Sequence, residues 1–341
     1  MPVSIVVGGQ FGSEGKGKVA HYLAQKMEAS YVVRCGGPNS GHTVIDPSGN
    51  SRIFQQLPTA AILPEVKLAI CAGSYIDLDI LLREIRETGV DHNRLAIDPN
   101  AVMITAEMKQ SEFKIGGIVE KIGSTGSGTG AAVNARLSRE KNVVFSQDIK
   151  ELNNFLQDVP SNLRKSIRKK EKIIIEGTQG FGLSPLHSRH YPFTTSRDTT
   201  AASFLSETGL SPLDVEHVFL VIRSFPIRVS SMRSGPLADE ISWEKITEEG
   251  GHTQTIKETT SVTKCIRRVA RFNAEIVKQA IVVNNPDKII LNHLDYLSSN
   301  YKDRVGFIRD FIERVESSIG KNIDLLGFGP ATESIVDRNV I

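Results

Sequence analysis

The stretch from Val3 to Lys18, VSIVVGGQFGSEGKGK, constrains this chain more than any other. Five of the six residues from Val3 to Gly8 are β-branched or glycine, the composition of a central strand buried on both faces. Glycines at 9, 12, 15 and 17 follow, so the chain leaves the strand in a sharp turn. The run from Val19 to Met27 has a helical pattern. A helix N-terminus with convergent backbone N–H groups, beside Lys16 and Lys18, makes a cradle for phosphate. The hydroxyl that follows the lysine of an ordinary P-loop is missing, because Gly17 follows Lys16, which keeps a plain glycine-rich turn as the competing reading.

Further along, strand-like and helical patterns alternate. Tyr31 to Arg34 can lie as a second strand beside the first, Lys67 to Gly73 and Arg94 to Asp98 read as strands around a helix from Leu78 to Thr88, and Asp148 to Lys170 reads as polar helices broken near Pro160. Lys172 to Gly180, Glu216 to Ile222 and Lys288 to Asp295 are apolar runs that each end in a polar loop. Alternation of this kind predicts an α/β fold, a large mostly parallel central sheet with helices on both faces. With 341 residues, 40% of them apolar, one domain spanning residues 1–341 with small subdomain insertions is expected. Ligands of such sheets gather at the carboxyl ends of the strands, so Gly8, Arg34 and Ile175 should end near one another.

The net charge of +2 comes from interspersed acids and bases, and the one dense basic run, from Arg164 to Lys172, reads as a solvated face rather than a nucleic-acid patch. Cys35, Cys71 and Cys265 have no CxxC spacing and leave an odd one over, which argues against a disulfide framework and a zinc site and for a reducing compartment. No basic leader precedes the first strand and no apolar run approaches the roughly 20 residues of a membrane span. A cytoplasmic protein with no membrane or nucleic-acid partner is expected.

Several loops carry a resemblance to a known family. GGQFGSEGKGK at 8–18, CGGPNSGHT at 35–43, IGSTGSGTGA at 122–131, EGTQG at 176–180, YPFTTSRDTTA at 191–201, ETTSVTKCIRRVA at 258–270, KIILNHLD at 288–295 and GFGPATES at 327–334 resemble, in order, the motifs of adenylosuccinate synthetases. The resemblance implies that Gly12, Glu14, Gly15, Lys16, Gly17, Gly41 and Thr43 meet a nucleoside triphosphate, with Mg2+ held at Ser13 and the Gly41 carbonyl. It implies a base pocket for that triphosphate at Asn292, His293, Asp295, Gly327, Gly329 and Pro330. Ser13, Asn39, Thr125, Gln179 and Thr195 would bind the nucleoside monophosphate, joined by Arg139 from the partner subunit of a homodimer. Thr263 and Arg267 would hold the carboxylate of L-aspartate, to which arginine's planar fork is suited, with Arg268 as a structural partner. Ser13, Lys16, His42 and Gln179 would be the catalytic group, His42 donating to the purine oxygen at C6.

Departures from the family pattern are as informative as matches. Ser13 stands where the family has an aspartate that serves as general base and magnesium ligand, Ala131 replaces a proline, Lys264 a glycine, Cys265 an arginine near the ribose, and His293 a lysine. The family reaction phosphorylates the purine 6-oxygen and then displaces phosphate with the aspartate amine. A serine hydroxyl is far too weakly basic to stand in for a carboxylate, but it is smaller and can accept from an amino group at C2 of guanine. The phage-type 2-aminoadenylosuccinate synthetases, which use dGMP, resemble this pattern, with a small residue at that place. The sequence therefore predicts a ligase making 2-amino-2′-deoxyadenylosuccinate from dGMP, aspartate and ATP, dATP or GTP. The alternatives are an adenylosuccinate synthetase acting on IMP with GTP, and a non-catalytic nucleotide-binding protein.

Overall fold

The computed structural model describes residues 1–46, 48–260, 264–300 and 305–340. Nine segments pair into one sheet: β1 (Val3–Gly8), β2 (Tyr31–Arg34), β3 (Lys67–Ile70), β4 (Leu95–Ile97), β5 (Ile173–Glu176), β6 (Val215–Arg223), β7 (Lys288–Asn292), β8 (Leu325–Gly327) and β9 (Ile335–Asp337). Their order is β9-β8-β7-β6-β1-β5-β2-β3-β4, parallel throughout except for the antiparallel edge pair β8–β9. The expected α/β architecture is observed.

Both faces of the sheet are covered, and the two-residue period of a strand divides its side chains between two cores. Val6, Val32, Ile174 and Val221 pack with Val19 and Leu23 of α1 (Lys16–Lys26) and Leu81 of α2 (Leu78–Thr88). Their neighbours Ile5, Val33, Ile175 and Leu220 pack on the other face with Leu163, Phe204, Val277 and Ile312, all from helices. Local signals set the helix ends: Asp77 caps α2 by accepting from the Ile80 N–H at 3.4 Å, and Gly89 closes it in the left-handed region at φ 67°.

One expectation needs correction. Tyr31–Arg34 does not lie beside β1, because β5 takes that place and pairs with both. Ile173, Ile174 and Ile175 are apolar on both faces, which suits the middle of the sheet. The helical segments between 148 and 170 do part near Pro160: Lys150–Phe155 ends before it, and Pro160 sits in the first turn of Val159–Arg168, where its missing N–H costs nothing. In the glycine-rich stretch 122–131, the helix Thr129–Leu137 starts at Thr129.

Glu84, buried at the back of α2, accepts from the backbone N–H groups of Gln55, Gln56 and Leu57 at 2.7, 3.1 and 2.8 Å. It thereby anchors the chain leaving the hairpin formed by His42–Ile45 and Ser51–Phe54. Glu84→Ala strands three donors in the interior and is expected to cost roughly 3–5 kcal/mol in urea unfolding, with Glu84→Gln restoring part of the loss. A loss below about 1 kcal/mol would mean that water takes over the anchor.

Candidate active site

The carboxyl ends of the central strands carry charged or amide side chains, all buried: Arg34 on β2, Glu176 on β5, Arg223 on β6 and Asn292 on β7. Each fixes a loop. Glu176 accepts from Arg34 at 2.9 Å, from His42 Nδ1 at 2.6 Å, and from the Thr59 N–H and hydroxyl at 2.9 and 2.8 Å. Burial alone would raise its pKa, but His42, Arg34 and Thr59 outweigh burial and hold it below the usual carboxylate range.

The loop after β1 is held as firmly. Glu14 is wholly buried and turns inward, accepting from the N–H groups of Gln10 and Gly12 at 3.1 and 2.8 Å and from Lys16 at 2.6 Å. Its side chain is therefore scaffolding, and any contact with a triphosphate runs through its backbone. Arg223 donates to the Ser13 carbonyl at 2.8 Å and Asn292 to the Glu14 carbonyl at 2.8 Å. Ser13 is locked in the left-handed region at φ 56°. Gly15, at φ 90°, lies so close to Asn292 that a Cβ there would come within 2.7 Å of its amide. Arg223 also pairs with Glu258, which accepts from the Tyr296 hydroxyl at 3.1 Å. Against the upward push of burial, Arg223 lowers the Glu258 pKa to about 2.

These loops surround a cavity of about 1330 Å³. Gly12, Ser13, Gly15, Lys16 and Gly17 from the first loop, Asn39, Gly41, His42 and Thr43 from the second, and Thr125, Gln179, Thr195, Arg267 and His293 all line it. Arg267 reaches it from a loop in which Lys264 adopts φ 54°. Arg268 points elsewhere, to Glu240 and the Gly235 carbonyl, as a structural partner. Thr263 lies outside the described residues. Arg139, at φ 56°, is exposed and does not line this cavity.

Asn292, Asp295 and Gly329 gather around Lys18 instead, beside the first loop. Lys18 donates to the Gly329 carbonyl at 3.0 Å, and burial lowers its pKa to about 8 despite Asp295. Asn292 Oδ1 and Asp295 Oδ1 are buried without a hydrogen-bond partner, which suits a ligand bearing N–H donors. Gly327 is needed here, since a Cβ would come within 1.9 Å of Asn292 Oδ1; Pro330 follows in the turn after Gly329.

Arg34, Glu176, Arg223 and Glu258 were not among the residues singled out from sequence. One signal could have found the first three: β2, β5 and β6 each end on a charge after an apolar run, and such a charge can persist in the interior only if paired.

A parallel sheet whose strand ends close a large cavity with glycine loops, lysine and arginine defines a nucleotide-handling α/β enzyme. The comparisons are more specific. The adenylosuccinate synthetase family model matches residues 5–149 and 143–307. The adenylosuccinate synthetases of Methanocaldococcus jannaschii and Pyrococcus horikoshii are 36% and 34% identical to the chain; these matches cover 98% and 99% of it and 96% and 99% of those proteins. The succinoaminodeoxyadenylate synthetase of cyanophage S-2L, solved with dGMP and dATP, superposes with a TM-score of 0.83 at 28% identity over 98% of this chain and 95% of that one. The adenylosuccinate synthetase of Plasmodium falciparum gives 0.86 at 19% identity over 99% and 100%, a likeness of fold. The chain belongs to the adenylosuccinate synthetase family and is a nucleoside-triphosphate-dependent C–N ligase. Among the described residues, no helix is long and apolar enough to cross a membrane.

His42 and His293 are held neutral. Burial and the Arg34 charge lower the first to about 4, and burial with Arg223 lowers the second to about 3. Both values lie below the unfolded value near 6.5, so the unfolded chain takes up protons that the folded one refuses, and stability falls as pH drops below 6.5. Each histidine is expected to cost roughly 2 kcal/mol between pH 7 and pH 5 in urea unfolding of the ligand-free protein, and His293→Asn should remove its share. A flat profile over that interval would show that both titrate in the fold as they do in the unfolded chain.

Proposed function

We infer that this ligase joins L-aspartate to C6 of dGMP, using a purine nucleoside triphosphate and giving 2-amino-2′-deoxyadenylosuccinate. The observation that carries the reading is Ser13, which lines the cavity at the end of the rigid first loop where the family has its aspartate. A carboxylate poised at purine N1 would crowd the C2 amino group of guanine, whereas a serine leaves room and offers an acceptor. Structural likeness to the cyanophage protein solved with dGMP supports it. The archaeal relatives, named simply adenylosuccinate synthetases, favour the second reading, in which the substrate is IMP.

Loss of the carboxylate calls for another proton acceptor at N1. His42 is suited to it. Glu176 is ionised and can only accept, so its 2.6 Å contact, shorter than the 3.1 Å approach of Arg34 to the same nitrogen, favours the imidazole proton on Nδ1. Nε2 then keeps its lone pair for the cavity, and Glu176 fixes the ring and stabilises the imidazolium that forms. Once protonated, the same nitrogen can donate to the 6-oxygen. Lys16 neutralises charge on the transferred phosphoryl group, Arg267 takes the aspartate carboxylate, and Asn39, Thr125, Gln179 and Thr195 orient the monophosphate. The exposed Arg139 fits a role across a homodimer interface.

Mg2+ fits this site as a ligand of the triphosphate more than of the protein. Glu14, Glu176 and Glu258 are each already paired with a cation. The Ser13 hydroxyl and Gly41 carbonyl are neutral donors, compatible with an ion that takes most of its shell from phosphate and water. When bound, it would neutralise charge developing on the phosphates.

Ser13→Asp is the discriminating variant. Assayed with aspartate, magnesium and ATP or GTP, it should lower the ratio of dGMP to IMP turnover at least about tenfold, with products identified by mass. An unchanged ratio would remove Ser13 from purine selection.

A further inference from the structure

Cys35 and Cys71 are the residues directly after the paired strands β2 and β3, whose last register pair is Arg34 with Ile70. Thirty-six positions apart in sequence, they bring their sulfurs to 3.6 Å with both side chains fully buried. Glu207, on the helix Ala201–Thr208, offers a carboxylate oxygen, and the three candidate ligand atoms lie within 4.8 Å of one another. Spacing along the chain hides this group, which is why the sequence argued against zinc.

The geometry points to a closed, structural site for a soft divalent cation of the zinc class, held by Cys35 Sγ, Cys71 Sγ and a Glu207 oxygen. In a tetrahedral zinc site with Zn–S bonds of about 2.3 Å, two ligand sulfurs sit about 3.7 Å apart. The observed 3.6 Å matches that edge, while a disulfide requires about 2.05 Å. Charge supports the same ligand set. Each thiol gives up its proton to solvent as its sulfur bonds the metal, and three anionic ligands around a dication leave one net negative charge. The Arg197 guanidinium, 2.9 Å from Glu207 and 11% exposed, supplies the balancing positive charge. Glu207 Oε2 is buried with no hydrogen-bond partner, an orphan acceptor inside the cluster. The Ser74 hydroxyl, 3.4 Å from Cys71 Sγ, or a water could complete four-coordination.

Such a site would sit behind the monophosphate end of the cavity. Cys35 opens the loop that carries Asn39 and His42, and Ala72, next to Cys71, accepts from Arg136 of the helix Thr129–Leu137 at 2.7 Å. Arg197 follows Thr195 and Ser196 of the cavity wall. One ion would therefore tie three separate lining segments together without touching substrate.

The test uses tag-free, full-length protein from cells grown with added zinc, dialysed and analysed for metal, and the same protein refolded with cadmium ions. The expected result is one zinc per chain and a thiolate-to-cadmium charge-transfer band. Cys71→Ser should lose both, while Cys265→Ser keeps both. If Cys71→Ser does not fold, Glu207→Gln, which keeps both thiols and side-chain volume, should still weaken zinc binding at least about tenfold. Protein with no zinc above background, a cadmium band that survives in Cys71→Ser, or metal-free protein carrying a Cys35–Cys71 disulfide would each overturn the proposal.

Discussion

A fully buried carboxylate, Glu176, sits where the two halves of the site meet. It lies at the end of β5, between β1 and β2, and its two oxygens hold Arg34, His42 and Thr59 at once. An ion pair in the interior adds little net stability over a well-packed apolar pair, yet removing one partner costs about 3–5 kcal/mol. What Glu176 supplies is placement. Through Arg34, which also donates to the Ser40 carbonyl at 2.7 Å, it sets the loop carrying Asn39 and Gly41, and through its own bond it sets the tautomer of His42.

Arg223 does the same on the other side of β1. It is fully buried, yet it touches the first loop at Ser13 and the loop carrying Arg267 at Glu258, and Tyr296, just after β7, joins the same carboxylate. The loops that line this cavity are thus joined by charges seated in the sheet. Fixed orientation of this kind supplies much of the rate in group transfer. It also explains how the chain can dispense with an aspartate at position 13, since the loop geometry depends on Glu14, Arg223 and Asn292 rather than on the side chain at that position.

Much of this was legible in the sequence. Runs such as Val3–Gly8 and Ile173–Glu176 declare buried strands because apolar residues on both faces leave no other place for them, and glycine-rich loops after them declare the cavity rim. Strand order was not legible. Nothing local in Tyr31–Arg34 says that β5, some 140 residues later, will separate it from β1. Pairing between distant segments also hid the Cys35, Cys71 and Glu207 group and the Arg223–Glu258 pair. The inward turn of Glu14 could not be read from spacing, because it depends on where Gln10, Gly12 and Lys16 point once the loop closes.

The claim that Ser13 sets the purine, on a loop held by buried charges, is tested most directly by competition in the unmodified protein. Equal concentrations of dGMP and IMP, with aspartate, magnesium and a purine triphosphate, are turned over together and the two succinyl products are counted by mass. The account predicts a product ratio dominated by the 2-amino-2′-deoxy compound. A ratio dominated by the product of IMP would contradict it and make Ser13 a tolerated replacement in an adenylosuccinate synthetase.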